Sequence, residues 1–155
     1  RLCRYKGLDV VQMDAIDYLD VLEIGSVDGI VAFQLIEHLS PKQLARLCKI
    51  SYDKLAAGGR LILETPNPMC LSIYSGSFYI DCTHQKPIHP QMLQYLLKQM
   101  GFSKVELYFT KYSQGGYCLP QMENELPEAE KYNEAIDALN DLIWGSQDYT
   151  VIATK

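Results

Sequence analysis

The sequence predicts an α/β fold, a parallel sheet with helices laid on its faces. Short apolar runs alternate with amphipathic stretches along the whole chain, which is the pattern of strand–helix–strand units. The run at 27–35, V-D-G-I-V-A-F-Q-L, is mostly apolar rather than alternating, as suits a strand buried on both faces. Helix punctuation stands between such runs: Ser40-Pro41 supplies an N-cap and a first-turn proline, and Gly58-Gly59 is placed to stop the helix that follows.

Taken in order, R-L-C-R-Y-K reads as a polar helical end closed by Gly7, and Leu8–Met13 as a short apolar strand. Ala15–Leu22 is a brief amphipathic helix ended at Gly25-Ser26. The helix from Pro41 is expected to reach about Ala57, with Leu44, Leu47, Cys48, Ser51 and Leu55 on one stripe. Arg60–Glu64 is the next strand, stopped by Thr65-Pro66-Asn67-Pro68. An irregular stretch, 69–89, is expected to act as a lid or substrate loop. Pro90 opens a helix over Gln91–Met100, and Val105–Phe109 is a strand. Residues 111–127 are polar and turn-rich, a mobile excursion in this reading. Glu128–Trp144 is a helix with Ala135, Ile136, Leu139, Leu142 and Ile143 on its apolar face, and Tyr149–Ala153 closes the chain as a strand.

Composition bounds the function classes. With 155 residues and 48% hydrophobic content, the chain has material for one domain and a real core. No run approaches the ~18 apolar residues of a membrane helix. Net charge is −5 with scattered Lys and Arg, which speaks against a nucleic-acid groove. Cys3, Cys48, Cys70, Cys82 and Cys118 form no C-x-x-C pair, so reduced thiols in a cytoplasm are expected. Arg1 is read as a cut or processed end.

Ligands of parallel sheets sit at the carboxyl ends of strands, and the informative residues lie there. The segments M-D-A (13–15), F-Q-L-I-E-H-L (33–39), E-T-P-N-P (64–68) and D-C-T-H-Q-K-P-I-H-P (81–90), with the tail L-N-D-L-I-W-G-S-Q-D-Y-T-V-I-A, resemble class I S-adenosylmethionine-dependent methyltransferases. They are most similar to bacterial enzymes encoded with sugar-polymer and glycosyltransferase genes. The resemblance covers nearly the whole chain and makes residues 1–155 the back two-thirds of one catalytic domain. It implies a Rossmann-like fold, an incomplete three-layer sandwich whose last strand is antiparallel. It also implies S-adenosylmethionine as cofactor and a small-molecule acceptor, possible saccharides among them. Three departures stand out: no G-x-G occurs anywhere, the acidic residue that would grip the ribose is absent, and Cys82 replaces a proline.

The resemblance assigns Asp14 to the adenine amino group and the Ala15 N–H to a ring nitrogen, while D-x-x-D equally makes Asp14 a helix N-cap. Phe33 and Gln34 would wall the methionine part of the cofactor, with core packing the alternative for Phe33. Methyl transfer to oxygen or nitrogen needs alignment and loss of the nucleophile's proton. His38 and His84 are the candidates for that proton, imidazole being the side chain that exchanges one near neutrality; His38 packing beneath the next helix is the alternative. Tyr79, beside Tyr74 and Phe78, and Asn67 are candidate substrate contacts. Asp81, His84 and His89 have metal-capable side chains, yet no regular helix holds them on one face, so no metal is expected. His89-Pro90 is expected to shape a helix entrance.

In the family's sheet order, 3-2-1-4-5-7-6, this chain carries strands three, four, five, six and seven. The expected sheet is therefore 4-5-7-6, with Leu8–Met13 unpaired and the apolar edge Ile30–Leu35 open, a template for a homodimer. A non-catalytic module keeping the same fold is the competing reading, and a nicotinamide dehydrogenase is disfavoured because no fingerprint for it is present.

Overall fold

Helix α3 (Pro41–Lys54) begins where the sequence places it, and its start shows why: the Ser40 hydroxyl accepts from the Gln43 N–H while the Gln43 side chain accepts from the Ser40 N–H. In the computed structural model, residues 2–110, 118–123 and 125–155 are described. The other helices are α1 (Leu2–Tyr5), α2 (Ala15–Asp20), α4 (Ser72–Ser75), α5 (Pro90–Gln99) and α6 (Ala129–Trp144). Four strands, β1 (Val27–Phe33), β2 (Leu55–Pro66), β3 (Lys104–Phe109) and β4 (Asp148–Thr154), form one sheet in the order β1-β2-β4-β3. β1 and β2 are parallel, and β4 runs antiparallel to both β2 and β3. Three strands thus share one direction and the last opposes them, which is the expected 4-5-7-6 arrangement.

One face of the sheet carries Leu61, Leu63, Val105, Tyr149, Val151 and Ala153, all buried against Leu44, Leu47 and Cys48 of α3, Leu93 and Leu97 of α5, and Ile16 and Leu19 of α2. Burial pushes the Cys48 thiol up to about 12, so it behaves as a small apolar side chain. On the other side of β1, Val31 and Phe33 are exposed and the strand's outer edge is unpaired among the described residues. No helix among the described residues is long and apolar enough to cross a membrane.

Three expectations need correction. Leu8–Met13 is not a strand: Leu8, Val11 and Met13 are exposed, and no described strand lies beside them to complete a ladder. Gly58-Gly59 does not stop α3. The helix ends at Lys54, and β2 begins at Leu55, three residues before the glycines. The pair instead forms an irregularity in which the register passes from Val27↔Leu55 to Gly29↔Arg60. The helix end is stopped from outside, by the Lys155 ammonium donating to the Leu55 and Asp53 carbonyls. Finally, Leu139 and Leu142 of α6 are exposed, and its buried residues are Ala129, Asn133 and Ile136. Residues 111–117 of the predicted excursion lie outside the described residues; beyond them, the Asn140 amide bonds both backbone groups of Leu119, and the Asn133 amide both of Met122.

At Gly58, φ is +78°, and its N–H donates to the Lys155 carbonyl. A Cβ on Gly59 would meet the Ala56 carbonyl oxygen at 2.9 Å. Gly58→Ala is expected to cost about 1–2 kcal/mol from the left-handed backbone alone, read as a lowered urea midpoint with unchanged m, and Gly59→Ala is expected to lower the midpoint as well.

Candidate functional site

The carboxyl ends of β1 and β2 and the loop 78–85 meet at one rim. β1 ends at Gln34, which holds φ +49°, unusual for a residue with a side chain. The Gln34 N–H donates to the Glu64 carbonyl, and its amide donates to Asp148 on β4. From this anchored corner the chain turns into a 3-10 helix, Ile36–His38, that points Glu37 inward.

Glu37 is fully buried. Its Oε2 accepts from the Thr65 hydroxyl at 2.8 Å, whereas Oε1 has no hydrogen-bond partner among the described residues. His38 Nε2 lies 3.9 Å from that oxygen and His84 Nε2 4.0 Å. The two imidazole centroids are 4.6 Å apart, and His84 also stacks on Phe78. Both sequence-predicted histidines are therefore brought together, from positions 46 residues apart on a strand end and a loop. The loop is stitched to the turn: the Gln85 N–H donates to the Glu37 carbonyl and its side-chain amide to the His38 carbonyl, both at 2.9 Å.

The surrounding bonds fix the tautomers. The Phe78 carbonyl can only accept, so His84 Nδ1, 2.6 Å away, carries a proton. The Thr83 hydroxyl donates its one proton to Asp81 at 2.6 Å and therefore accepts from His38 Nδ1 at 2.8 Å. Hydrogen bonds from the Thr83 hydroxyl and N–H hold the Asp81 carboxyl below the usual carboxylate range, so it remains an acceptor. In the neutral rings, both Nε2 atoms are then bare lone pairs facing the bare Glu37 Oε1.

The remaining candidates separate. Asn67 is buried, with its amide donating to the Ser146 carbonyl and accepting from the Met69 N–H. These bonds latch β2 to the turn before β4, a structural role for the residue assigned to substrate. Tyr79 is exposed, edge-on to Phe78 and 6.3 Å from Tyr74, on the outer surface of the loop. His89 caps α5, accepting from the Gln91 N–H, and takes no part in the Glu37 cluster. Asp14 caps α2, its Oδ1 accepting from the Ile16 and Asp17 N–H groups. Ala15 and Tyr18 on α2 face Val31 and Ala32 across an apolar cavity of about 320 Å³. Phe33 and Gln34 are exposed where β1 ends.

Glu37 and Thr65 were missed as site residues. The signal available for Glu37 was a charged side chain inside the apolar run Leu35-Ile36-x-x-Leu39, where burial of a carboxylate demands a partner.

No protein-family model matches the chain. No curated protein matches it in sequence. Among solved structures it is similar to a SAM-dependent methyltransferase from Archaeoglobus fulgidus, at 33% identity and a TM-score of 0.88, covering 99% of this chain and 79% of that one. It is similar in fold to a SAM-dependent methyltransferase from Thermotoga maritima described as a possible histamine N-methyltransferase, at 17% identity and a TM-score of 0.66, covering 99% and 67%. A phosphoethanolamine N-methyltransferase 2 from Haemonchus contortus, in complex with S-adenosyl-L-methionine, shares 16% identity with a TM-score of 0.56, covering 91% and 35%.

Thr65→Val keeps the side-chain shape and removes the one hydrogen bond to the buried Glu37 carboxylate. The expected loss of stability is about 1–3 kcal/mol, measured by urea unfolding; a change within the noise would mean that Glu37 finds another donor.

Proposed function

Because the chain belongs to the S-adenosylmethionine-dependent methyltransferases, we propose that it methylates a hydroxyl of a saccharide or a related envelope small molecule, activated at the Glu37–His38–His84 cluster. The observation that carries this reading is the convergence of three electron-pair donors at the rim of the sheet, half-open on the His38 side. When bound, S-adenosylmethionine supplies an electrophilic methyl group on a sulfonium, so the protein has only to align an acceptor and manage one proton.

The residues on the cofactor side fit the nucleoside end of that molecule. The cavity between α2 and β1 is apolar, with Ala15 on its lining and the Asp14 carboxylate immediately before it. One Asp14 oxygen receives the cap bonds, which leaves the other for an adenine amino group. Phe33 and Gln34 would form the border toward the methionine part.

On the acceptor side, a hydroxyl placed against the cluster gives up its proton as the new O–C bond forms and the methyl–sulfur bond breaks. That proton would pass to the Nε2 lone pair of His38 or His84, S-adenosylhomocysteine would leave, and the Glu37 carboxylate beneath would stabilise the imidazolium so formed. Tyr79 and Tyr74 offer ring faces suited to the C–H surface of a sugar. The motifs of the sugar-polymer-associated enzymes support this acceptor class and a bacterial cytoplasmic setting.

Transfer of labelled methyl groups to a panel of saccharides tests the acceptor, and incorporation only into amines would sink the hydroxyl reading. His38→Gln and His84→Gln are expected to lower turnover by about 10²–10⁴ while cofactor affinity, measured by calorimetry with S-adenosylhomocysteine, stays within about twofold. Asp14→Ser should show the opposite split. Serine preserves the helix cap, so stability holds, while cofactor affinity falls by about 1.5–3 kcal/mol; an unchanged affinity would remove Asp14 from the cofactor site.

A further inference from the structure

Burying a carboxylate oxygen opposite two unprotonated ring nitrogens is electrostatically unfavourable unless something positive stands between them. A proton on one imidazole is a poor remedy. One added proton serves Glu37 Oε1 from one ring only and leaves the other ring's lone pair unmatched. A cation at the centre satisfies all three atoms together.

We propose that Glu37 Oε1, His38 Nε2 and His84 Nε2 bind a divalent first-row transition-metal ion of the zinc class. The three donor atoms already lie within 4.8 Å of one another. Around a tetrahedral ion with bonds of about 2.0–2.1 Å, donors stand about 3.3 Å apart, so side-chain closures of an ångström or so complete the set. Both imidazoles present Nε2 because Nδ1–H is held by the Phe78 carbonyl and the Thr83 hydroxyl, and the second carboxylate oxygen is held by Thr65. Such outer partners orient ligands and raise their basicity. Two imidazoles and one carboxylate leave a fourth position free, as catalytic rather than structural zinc sites do. Glu37 closes the floor, and His38, the more exposed of the two imidazoles, borders the opening. This departs from the sequence-level grouping of Asp81, His84 and His89, since the ligands come from the strand end as well as the loop.

The proposal deepens the acceptor-site reading and rests on it only for the ion's use. With the ion in place, a hydroxyl bound at the free position would lose its proton to water more readily, and the imidazoles would serve as ligands in place of their role as proton acceptors in the ion-free site.

Binding is tested without cofactor or acceptor. The full chain is stripped with chelator, then titrated with Co²⁺ for visible d–d bands and with Zn²⁺ against a chromogenic chelator. One ion per chain is expected. Glu37→Gln, His38→Gln and His84→Gln should each weaken Zn²⁺ by more than the roughly 10–100-fold that loss of a ligand's outer partner costs, and Cys82→Ser should change nothing. If the His84 variant unfolds, the half-exposed His38 variant carries the comparison. Absence of binding, affinity unchanged in the His38 and Glu37 variants, or loss in Cys82→Ser overturns the site. Methyl transfer that persists after chelation overturns the ion's role in the reaction and leaves the methyltransferase reading intact.

Discussion

Burial of the Glu37 carboxylate is the constraint around which the rim of this protein is arranged. A carboxylate taken out of water depends on neighbours of fixed geometry, and here the one donor, Thr65, and the two facing imidazoles come from separate parts of the chain. Thr65 reaches it from the end of β2, and the two imidazoles approach from the 3-10 turn and from the loop. Gln85 ties the loop backbone to the turn through two bonds, so loop and turn cannot move apart without exposing the carboxylate. Tyr149 belongs to the same neighbourhood. Burial first, then the nearby Glu37 charge, raise its hydroxyl above the usual tyrosine range, and that hydroxyl donates to the Ile88 carbonyl where the loop meets α5. The site is therefore preorganised by the same bonds that hold the loop down.

Much of the fold was legible because it rests on local signals. The capping box at Ser40, the proline at the start of α5 and the apolar runs of β1 and β4 each specify their element through nearest neighbours. The strand order came from family resemblance, since no local signal says which strands pair. The misreadings share a cause. Leu8–Met13 has a strand's composition, but a strand exists only through a partner, and none of the described strands lies beside it. Gly58-Gly59 looks like a helix stop because two glycines usually are; here a lysine 100 residues away from Leu55 caps the helix, and the glycines serve a crowded register change. Nothing near residue 58 in sequence announces Lys155.

The site divides along the same line. His38 and His84 were identifiable from residue type and their places after strands. What they do together was not, because their tautomers depend on a carbonyl at 78 and on a hydroxyl whose proton is committed to Asp81. Asn67 failed for the converse reason. A polar residue at a strand's carboxyl end invites a ligand role, yet its amide is held by the Ser146 carbonyl and the Met69 N–H, contacts set by where α6 and β4 return. Asp14 illustrates that two readings can hold at once, since a cap uses one carboxylate oxygen and leaves the other.

Gln34 shows how the two halves of the rim are joined. A left-handed backbone at a residue with a side chain costs about 1–2 kcal/mol, and such strain persists only where its surroundings enforce it. Here the enforcement is visible: the Gln34 N–H continues the β1–β2 ladder to Glu64, while its side chain reaches across to Asp148 on β4. That corner ends β1 abruptly. Without it, a strand continuing in regular alternation would carry residue 37 along the sheet instead of folding it into the 3-10 turn beneath the loop. Ala32, which lines the cavity beside α2, and the buried Glu37, bordering the histidines, are thus five residues apart in sequence and on opposite sides of one strained residue. The strand end fixes the distance between the two regions, which a reaction requiring three atoms in line depends on more than on any single side chain.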